Sequence, residues 1–274
     1  MFKVDLCIEP FFWGKDTSEK IKKINSLGFE AVEFWYWDHE FTGKELIPCK
    51  KNIQEICSII NDLNITITDM VVNSPDGSIG GFLTKPEDND RYLERLKSTI
   101  DVAHKLNCKK LITCTGNEVN NKTFQEQFDS VIHTLRDASE IAIKEDITLI
   151  LEALNSRIDH PGYFLTSSRV GFDIIKLVDS AGLKLLYDVY HMQVMGEDHL
   201  AVINKNISLI GHFHSANVPG RNELYLGELN YATIINAINK SGYEGYFGLE
   251  YWPTVPDDIS LTKTQKYLKS LKLK

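Results

Sequence analysis

The sequence predicts an α/β fold, a single-domain (β/α)8 TIM barrel covering residues 1–274. Three observations predict it. Short apolar runs alternate with amphipathic helical stretches along the whole chain, the rhythm of strand–helix units around a parallel sheet. Four successive runs in the C-terminal half each end in a residue able to hold a metal. These are Glu152 after 147–151, Asp188 after 183–187, His214 after 207–210 through Gly211-His212-Phe213, and Glu250 after 246–249. The chain has 274 residues, 43% of them hydrophobic, and no linker or composition break divides it. That suits one large core, since barrels of this kind run to roughly 250 residues.

Residues 4–8 (VDLCI) form the first expected strand and 9–13 the loop after it. A helix follows over 18–27, with Ile21, Ile24 and Leu27 on one face and Gly28 as its cap. Strand two is 29–34 (FEAVEF). A helix over 51–63 carries Ile53, Ile56, Ile59, Ile60 and Leu63, and strand three is 65–72. A glycine-bearing polar loop over 73–85 precedes a helix over 86–106, which Pro86 opens in its first turn. Strand four is 109–114. The helix over 123–144 repeats Phe124, Phe128, Val131, Ile132 and Leu135 at helical spacing. Strand five (147–151), a helix over 168–181, strand six (183–187), a short helix near His199, strand seven (207–210), a helix over 231–240, strand eight (246–249) and a last helix over 259–271 complete the count. The lysine-rich end, 269–274, is a solvated helix terminus.

A net charge of −8 argues against nucleic acid as a partner, because phosphate binding needs a basic footprint. A small-molecule partner is expected instead. Cys7, Cys49, Cys57, Cys108 and Cys114 are odd in number and lack CxxC spacing, which suits reduced thiols in a cytoplasmic protein. No apolar run reaches transmembrane length, so no membrane partner is expected. Asp5 and Glu9 interrupt the apolar N-terminus, which therefore reads as a strand and not a signal peptide. For a soluble enzyme a homo-oligomer, most simply an isologous dimer, is the default.

In this fold active sites lie where strands end and the following loops begin. Glu152, Asp188, His214 and Glu250 would make an oxygen-rich site for a divalent metal, Mn²⁺, Mg²⁺ or Co²⁺, with Zn²⁺ also fitting. A cation there leaves positions for a substrate carbonyl and its neighbouring hydroxyl and acidifies the adjacent C–H. Glu152 and Glu250 come from strands separated by two others and are expected to face the substrate from opposite sides. That is a layout for proton transfer through a cis-enediolate, as in isomerases and epimerases. His191, three residues past Asp188, is a candidate to stabilise the oxygen on which charge develops. Arg221, in the loop after His214, is a candidate to grip a carboxylate or hydroxyl pair. Asn155, just past Glu152, is a third candidate substrate contact. His212 and His214 are expected to point to opposite sides of the sheet, leaving His214, the further along, as the ligand; a bulge would reverse the choice. The aromatics Phe11-Phe12-Trp13 and Phe34-Trp35-Tyr36-Trp37 either wall a pocket or pack under loops.

Several segments between residues 147 and 253 together resemble the hydroxypyruvate isomerase family of the sugar isomerase/epimerase (xylose isomerase-like) barrels. They are LEALNSR (151–157), DHPGYFL (159–165), YDVYHMQ (187–193), PGRNE (219–223), GELNY (227–231) and GLEY (248–251). The resemblance implies a metal-dependent sugar or keto-acid isomerase. Glu152, Asp188 and Glu250 would be ligands, Glu152 and Glu250 the acid–base pair, and His191 and Arg221 substrate contacts. Position 214 is His here where the family usually has Gln, as it is in ketose 3-epimerases. The stretch 78–84 lacks the charged Gly-Glu-Arg-Gly segment of the family. Epimerisation of a related free sugar or sugar acid by a ketose 3-epimerase is therefore the alternative.

Overall fold

The computed structural model describes residues 2–39, 46–48 and 50–272. Eight parallel strands close into a barrel. They are β1 (Lys3–Cys7), β2 (Ala31–Trp35), β5 (Thr66–Val71), β6 (Lys110–Cys114), β7 (Thr148–Glu152), β8 (Leu183–Asp188), β9 (Ile210–Ser215) and β10 (Tyr246–Leu249). Around the ring the order is β1-β10-β9-β8-β7-β6-β5-β2, so each strand lies beside its neighbour in sequence. A short antiparallel hairpin, β3 (Trp37–His39) with β4 (Leu46–Pro48), rises from the loop after β2.

The connecting helices are α1 (Thr17–Ser26), α2 (Ile53–Leu63), α3 (Asn89–Lys105), α4 (Phe124–Lys144), α5 (Ser168–Val178), α6 (Val189–Met195), α7 (His199–Asn206), α8 (Tyr231–Lys240) and α9 (Asp257–Lys272). Local chemistry fixes their starts. Asp16, Asn52 and Asp198 accept from backbone N–H groups of the first turns, and Thr123 with Glu126 closes a capping box on α4. At the end of α1, Gly28 takes the left-handed conformation (φ +88°), the expected place for a cap glycine.

Strand parity divides the core in two. Leu149, Leu151, Leu183 and Leu185 face the helical layer, in the same cluster as Phe172, Ile174 and Ile175 of α5. Ile150 and Leu186 turn inward and share a second cluster with Val71 and Ile112. Residues two apart on a strand share a face, so Glu152 and Asp188 also turn inward, above Ile150 and Leu186. Burial on both faces explains why these strands read as unbroken apolar runs.

The structure corrects several sequence expectations. Residues 207–209 form a 3-10 turn, and β9 begins only at Ile210; an apolar run of four does not distinguish a strand from a helical turn. Pro86–Asp88 is likewise a 3-10 turn ahead of α3. α5 stops at Val178 because Asp179 turns left-handed (φ +52°). α6 and the β3–β4 hairpin were not anticipated. Cys7, Cys57, Cys108 and Cys114 are free thiols, while Cys49 and the last two residues, Leu273 and Lys274, lie outside the described residues.

Candidate active site

The C-terminal ends of β7, β8 and β9, with the residue after β10, bring Glu152, Asp188, His214 and Glu250 together. Each offers a ligand atom within 4.8 Å of the others, and all four are buried. Register does this: Asp188 pairs with His214, and His214 with Gly248, two residues before Glu250. His214 Nδ1 stands 3.4 Å from Glu152 Oε1 and 3.4 Å from Glu250 Oε2 and has no hydrogen-bond partner in the protein. Its Nε2 turns to Glu33 of β2, 3.0 Å from Oε1 and 3.1 Å from Oε2. A buried imidazole nitrogen aimed at three carboxylates, its other nitrogen fixed by a fourth, is the donor arrangement of a divalent-metal site with an orienting carboxylate behind the histidine.

Burial alone would lower the affinity of His214 for a proton, but the carboxylates of Glu33 and Glu250 outweigh it and raise its pKa well above the ordinary histidine value. For Glu250, burial favours the neutral form, yet Arg221 and His214 hold it well below the usual carboxylate range. Asp188, fully buried, is pushed up to about 7 by desolvation, against the pull of Arg221 and His214.

Arg221 forms a close ion pair with Glu250 through Nη2. Its backbone is left-handed (φ +56°), after Gly220 at φ +92°. Two hydrogen bonds between Asn217 and Asn222 clamp the turn, and Trp252 N–H donates to the Arg221 carbonyl at 2.7 Å. Buried Glu223 accepts from Thr254 and Ser260, tying this loop to the one after β10. A non-glycine residue kept left-handed by so many bonds marks a side chain whose direction is fixed for use.

Asp188 also caps α6, accepting from His191 N–H at 2.9 Å. His191 is fully buried, and burial followed by the charge of Arg221 lowers its pKa well below the ordinary value. Asn155 donates to its Nδ1 from both side chain (2.6 Å) and backbone (3.3 Å), which puts the proton of the neutral ring on Nε2. That Nε2 has no hydrogen-bond partner and lies 3.7 Å from Asp188 Oδ2. The remaining bonds of Asn155 go to Asp159 and to the turn at 158–159, so it holds His191 and its own loop.

These groups open into a cavity of about 390 Å³ lined by Glu152, His214, Glu250 and Arg221, with Asp76, Asp159 and His160 among its other polar groups. Trp35, Trp37 and Trp252 wall it. Trp35 stacks on Trp37, and Trp252 on the half-exposed Trp13. Phe11, Phe12 and Phe34 instead enter the hydrophobic core. His160 is neutral, its pKa lowered to about 4 by burial and by Arg221.

The sequence reading missed Glu33, Asp76, His160 and Trp252. Glu33 carried a usable signal, a carboxylate inside an apolar strand. One expectation is overturned. His212 and His214 face the same side, both inside the barrel, with ring centroids 5.1 Å apart. Positions two apart on a strand share a face, so the premise of opposite faces was wrong. What separates the two is depth along the barrel.

Residues 21–272 match the model of the xylose isomerase-like TIM barrel family. Hydroxypyruvate isomerase of Escherichia coli (strain K12) is 26% identical over 97% of this chain and 100% of its own length. The 2-oxo-tetronate isomerase of Cupriavidus necator is 36% identical over 50% of this chain and 52% of its own. The crystal structure of an AP endonuclease, family 2, from Brucella melitensis shares the fold, with a TM-score of 0.84, 23% identity and coverage of 97% of this chain and 98% of that one. A putative hydroxypyruvate isomerase of Streptomyces coelicolor is 31% identical over 92% of this chain and 90% of its own length. The chain belongs to the xylose isomerase-like TIM barrel family and, within it, to the hydroxypyruvate isomerase family; the isomerase class expected from its residues agrees with the names of these relatives.

Proposed function

We propose that this protein is a metal-dependent isomerase of a small 2-keto acid or a related free sugar, moving a proton between adjacent carbons through a cis-enediolate. The observation that carries the reading is the opposition of Glu152 and Glu250, each 3.4 Å from His214 Nδ1 at the floor of one small cavity. Glu152, Asp188, His214 and Glu250 would hold a divalent cation, which when bound polarises a carbonyl and acidifies the neighbouring C–H.

The chain's own groups do the rest. Glu152 and Glu250 supply the carboxylates that take the C–H proton and return it to the next carbon. Arg221 binds a substrate carboxylate or hydroxyl pair. In doing so it loosens its hold on Glu250, raising that group's affinity for a proton when it has one to carry. The Nε2–H of His191, with Nδ1 engaged by Asn155, donates to the oxygen on which charge develops. Asp76 is held ionised by Ser74 and Ser78 and faces the cavity. A charged acceptor there favours hydroxyls on the far end of the substrate and disfavours a second carboxylate. The tryptophans exclude water from the enediolate. The hydroxypyruvate and 2-oxo-tetronate named for the two relatives fit this chemistry.

The test is proton NMR in D₂O with the Mn²⁺-loaded protein, hydroxypyruvate, and a panel of ketoses and 2-keto sugar acids. Metal-dependent loss of the C–H signal beside the carbonyl, with product at a new carbon, is the expected result. Inversion at the same carbon would instead assign a 3-epimerase. Absence of exchange on every member by metal-loaded protein would overturn the proposal.

A further inference from the structure

Below the mouth of the barrel lies a second polar cluster that this mechanism does not use. Asp5 of β1, Glu33 of β2, Asp69 of β5 and His212 of β9 turn inward and are 0–2% exposed. His212 Nε2 stands 3.3 Å from Glu33 Oε2, 3.5 Å from Asp69 Oδ2 and 3.7 Å from Asp5 Oδ2. It is hydrogen-bonded to none of them. Both ring nitrogens of His212, both oxygens of Asp69, Glu33 Oε1 and Asp5 Oδ1 have no hydrogen-bond partner in the protein. Thr68 donates to Asp5 Oδ2, and His214 Nε2 meets Glu33 Oε2. Three carboxyl groups and an imidazole in a dry core, with so many atoms unmatched, form a group that folded proteins rarely leave uncompensated.

Two features identify the compensation. The spacing is too long for good hydrogen bonds and suits the edge of a coordination polyhedron. Oxygen and nitrogen ligands at about 2.0–2.2 Å from a tetrahedral ion lie about 3.3–3.6 Å from one another. Room is kept in the middle as well. A β-carbon on Gly248 would come 2.9 Å from His214 Cδ2, 3.0 Å from Glu33 Oε1 and 3.0 Å from His212 Nε2. The backbone of Gly248 is not in the left-handed region, so it is space and not conformation that asks for glycine there.

We propose that Glu33, Asp69 and His212 hold a second divalent cation, Zn²⁺, inside the barrel, below the site at the mouth and flanked by Asp5 and His214. Glu33 then connects the two sites, holding this ion and orienting His214, whose Nδ1 faces the upper site. The inner ion is enclosed by protein on all sides and has a structural and orienting role. The inference does not depend on turnover in the cavity above.

The experiment counts all metals by plasma mass spectrometry in wild-type protein from Mn²⁺- and Zn²⁺-supplemented cells, and in Asp69→Asn and Asp188→Asn. Anomalous diffraction maps from wild-type crystals at the edges of both metals accompany it. Two ions per wild-type chain, one in each variant, and an anomalous peak about 2.0–2.2 Å from His212 Nε2 are expected. One ion that survives Asp188→Asn and disappears in Asp69→Asn would support the inner site while counting against metal at the mouth. An ion count that Asp69→Asn leaves unchanged would overturn the inference. Should the variants fail to fold, the wild-type map decides alone, and no peak among Glu33, Asp69 and His212 overturns it.

Discussion

Arg221→Met tests the electrostatics of the mouth most directly. It keeps much of the side chain's bulk and removes its charge. Glu250 and Arg221 form a pair whose side chains are 6% and 12% exposed. Breaking a buried pair on one side costs about 3–5 kcal/mol. Here His214 Nδ1 at 3.4 Å and the Cys7 thiol at 3.7 Å stay beside Glu250, so the lower end, about 3 kcal/mol, applies. The pH dependence follows from the direction of the shift. In the wild type, Glu250 sits below the usual carboxylate range, so its contribution is fully present above the unfolded pKa, about 4.3, and is lost as pH falls through the folded one. Between pH 5 and 8 it is flat. Arg221→Met removes the largest of the charges that oppose burial, and the expected outcome is that Glu250 rises above its unfolded value. The variant's penalty then grows as pH rises through that raised pKa. Urea unfolding followed by tryptophan fluorescence, in chelator so that no cation compensates, should show a gap of about 3 kcal/mol at pH 8 that narrows toward pH 5. A gap below about 1 kcal/mol, or one equal at both pH values, would refute the account. Arg221→Lys restores a charge without the planar fork and should regain part of the stability but little substrate affinity.

Glu152→Gln and Glu250→Gln should each abolish exchange and turnover while the protein stays folded by circular dichroism; wild-type rates in either variant remove the two-carboxylate mechanism. In Gly227→Ala the new β-carbon would fall 2.2 Å from the Val218 carbonyl oxygen and 2.8 Å from Asn217 Oδ1, at a φ of +116°. Asn217 fastens the Arg221 loop through Val218, Leu224 and Leu229, so kcat/KM should fall at least about tenfold, with about 1–3 kcal/mol of stability lost; unchanged kcat/KM would mean that the loop does not position Arg221. Asn155→Leu removes the donors that set the His191 tautomer from the side-chain side and should lower kcat about 10–100-fold with little change in KM. Nitrogen-15 NMR of His191 checks the tautomer independently, and an unaltered spectrum with lowered kcat would place the role of Asn155 elsewhere.

The alternation of runs such as 109–114 and 147–151 with the faces of α2 and α4 made the barrel readable, because burial on both strand faces leaves apolar runs and burial on one helix face leaves a stripe. What it hid is local. Val189–Met195 is a single short helix whose cap is Asp188, and a carboxylate examined as a metal ligand does not announce itself as an N-cap. The turn at 207–209 is apolar for packing reasons that a strand shares. The β3–β4 hairpin follows Trp35 in a stretch where the aromatics suggested a wall, and Trp35 and Trp37 do line the cavity from either side of the bend.

The site was legible only in its upper layer. Glu152, Asp188, His214 and Glu250 end their strands, and a charge at the end of an apolar run stands out. Asp5, Glu33 and Asp69 lie inside strands of the N-terminal half, where a single carboxylate within an apolar run stands out less than one that ends it. Parity would have found them. In β7, Ile150 and Glu152 face inward together, and in β9 His212 and His214 do. The same period puts Asp5 with Cys7, Glu33 with Trp35 and Asp69 with Val71 on the interior face. A barrel interior is filled by the inward side chains of all its strands, alternate strands contributing to alternate layers. Inward acids on three neighbouring strands therefore face one another across the same interior, whatever the loops above them do. His212, two residues below His214, faces the same interior and meets these acids there. The error about the two histidines and the omission of the three acids are thus one error, the neglect of a two-residue period. The two-residue period turns a single ring of candidate ligands into two stacked polar clusters joined through Glu33.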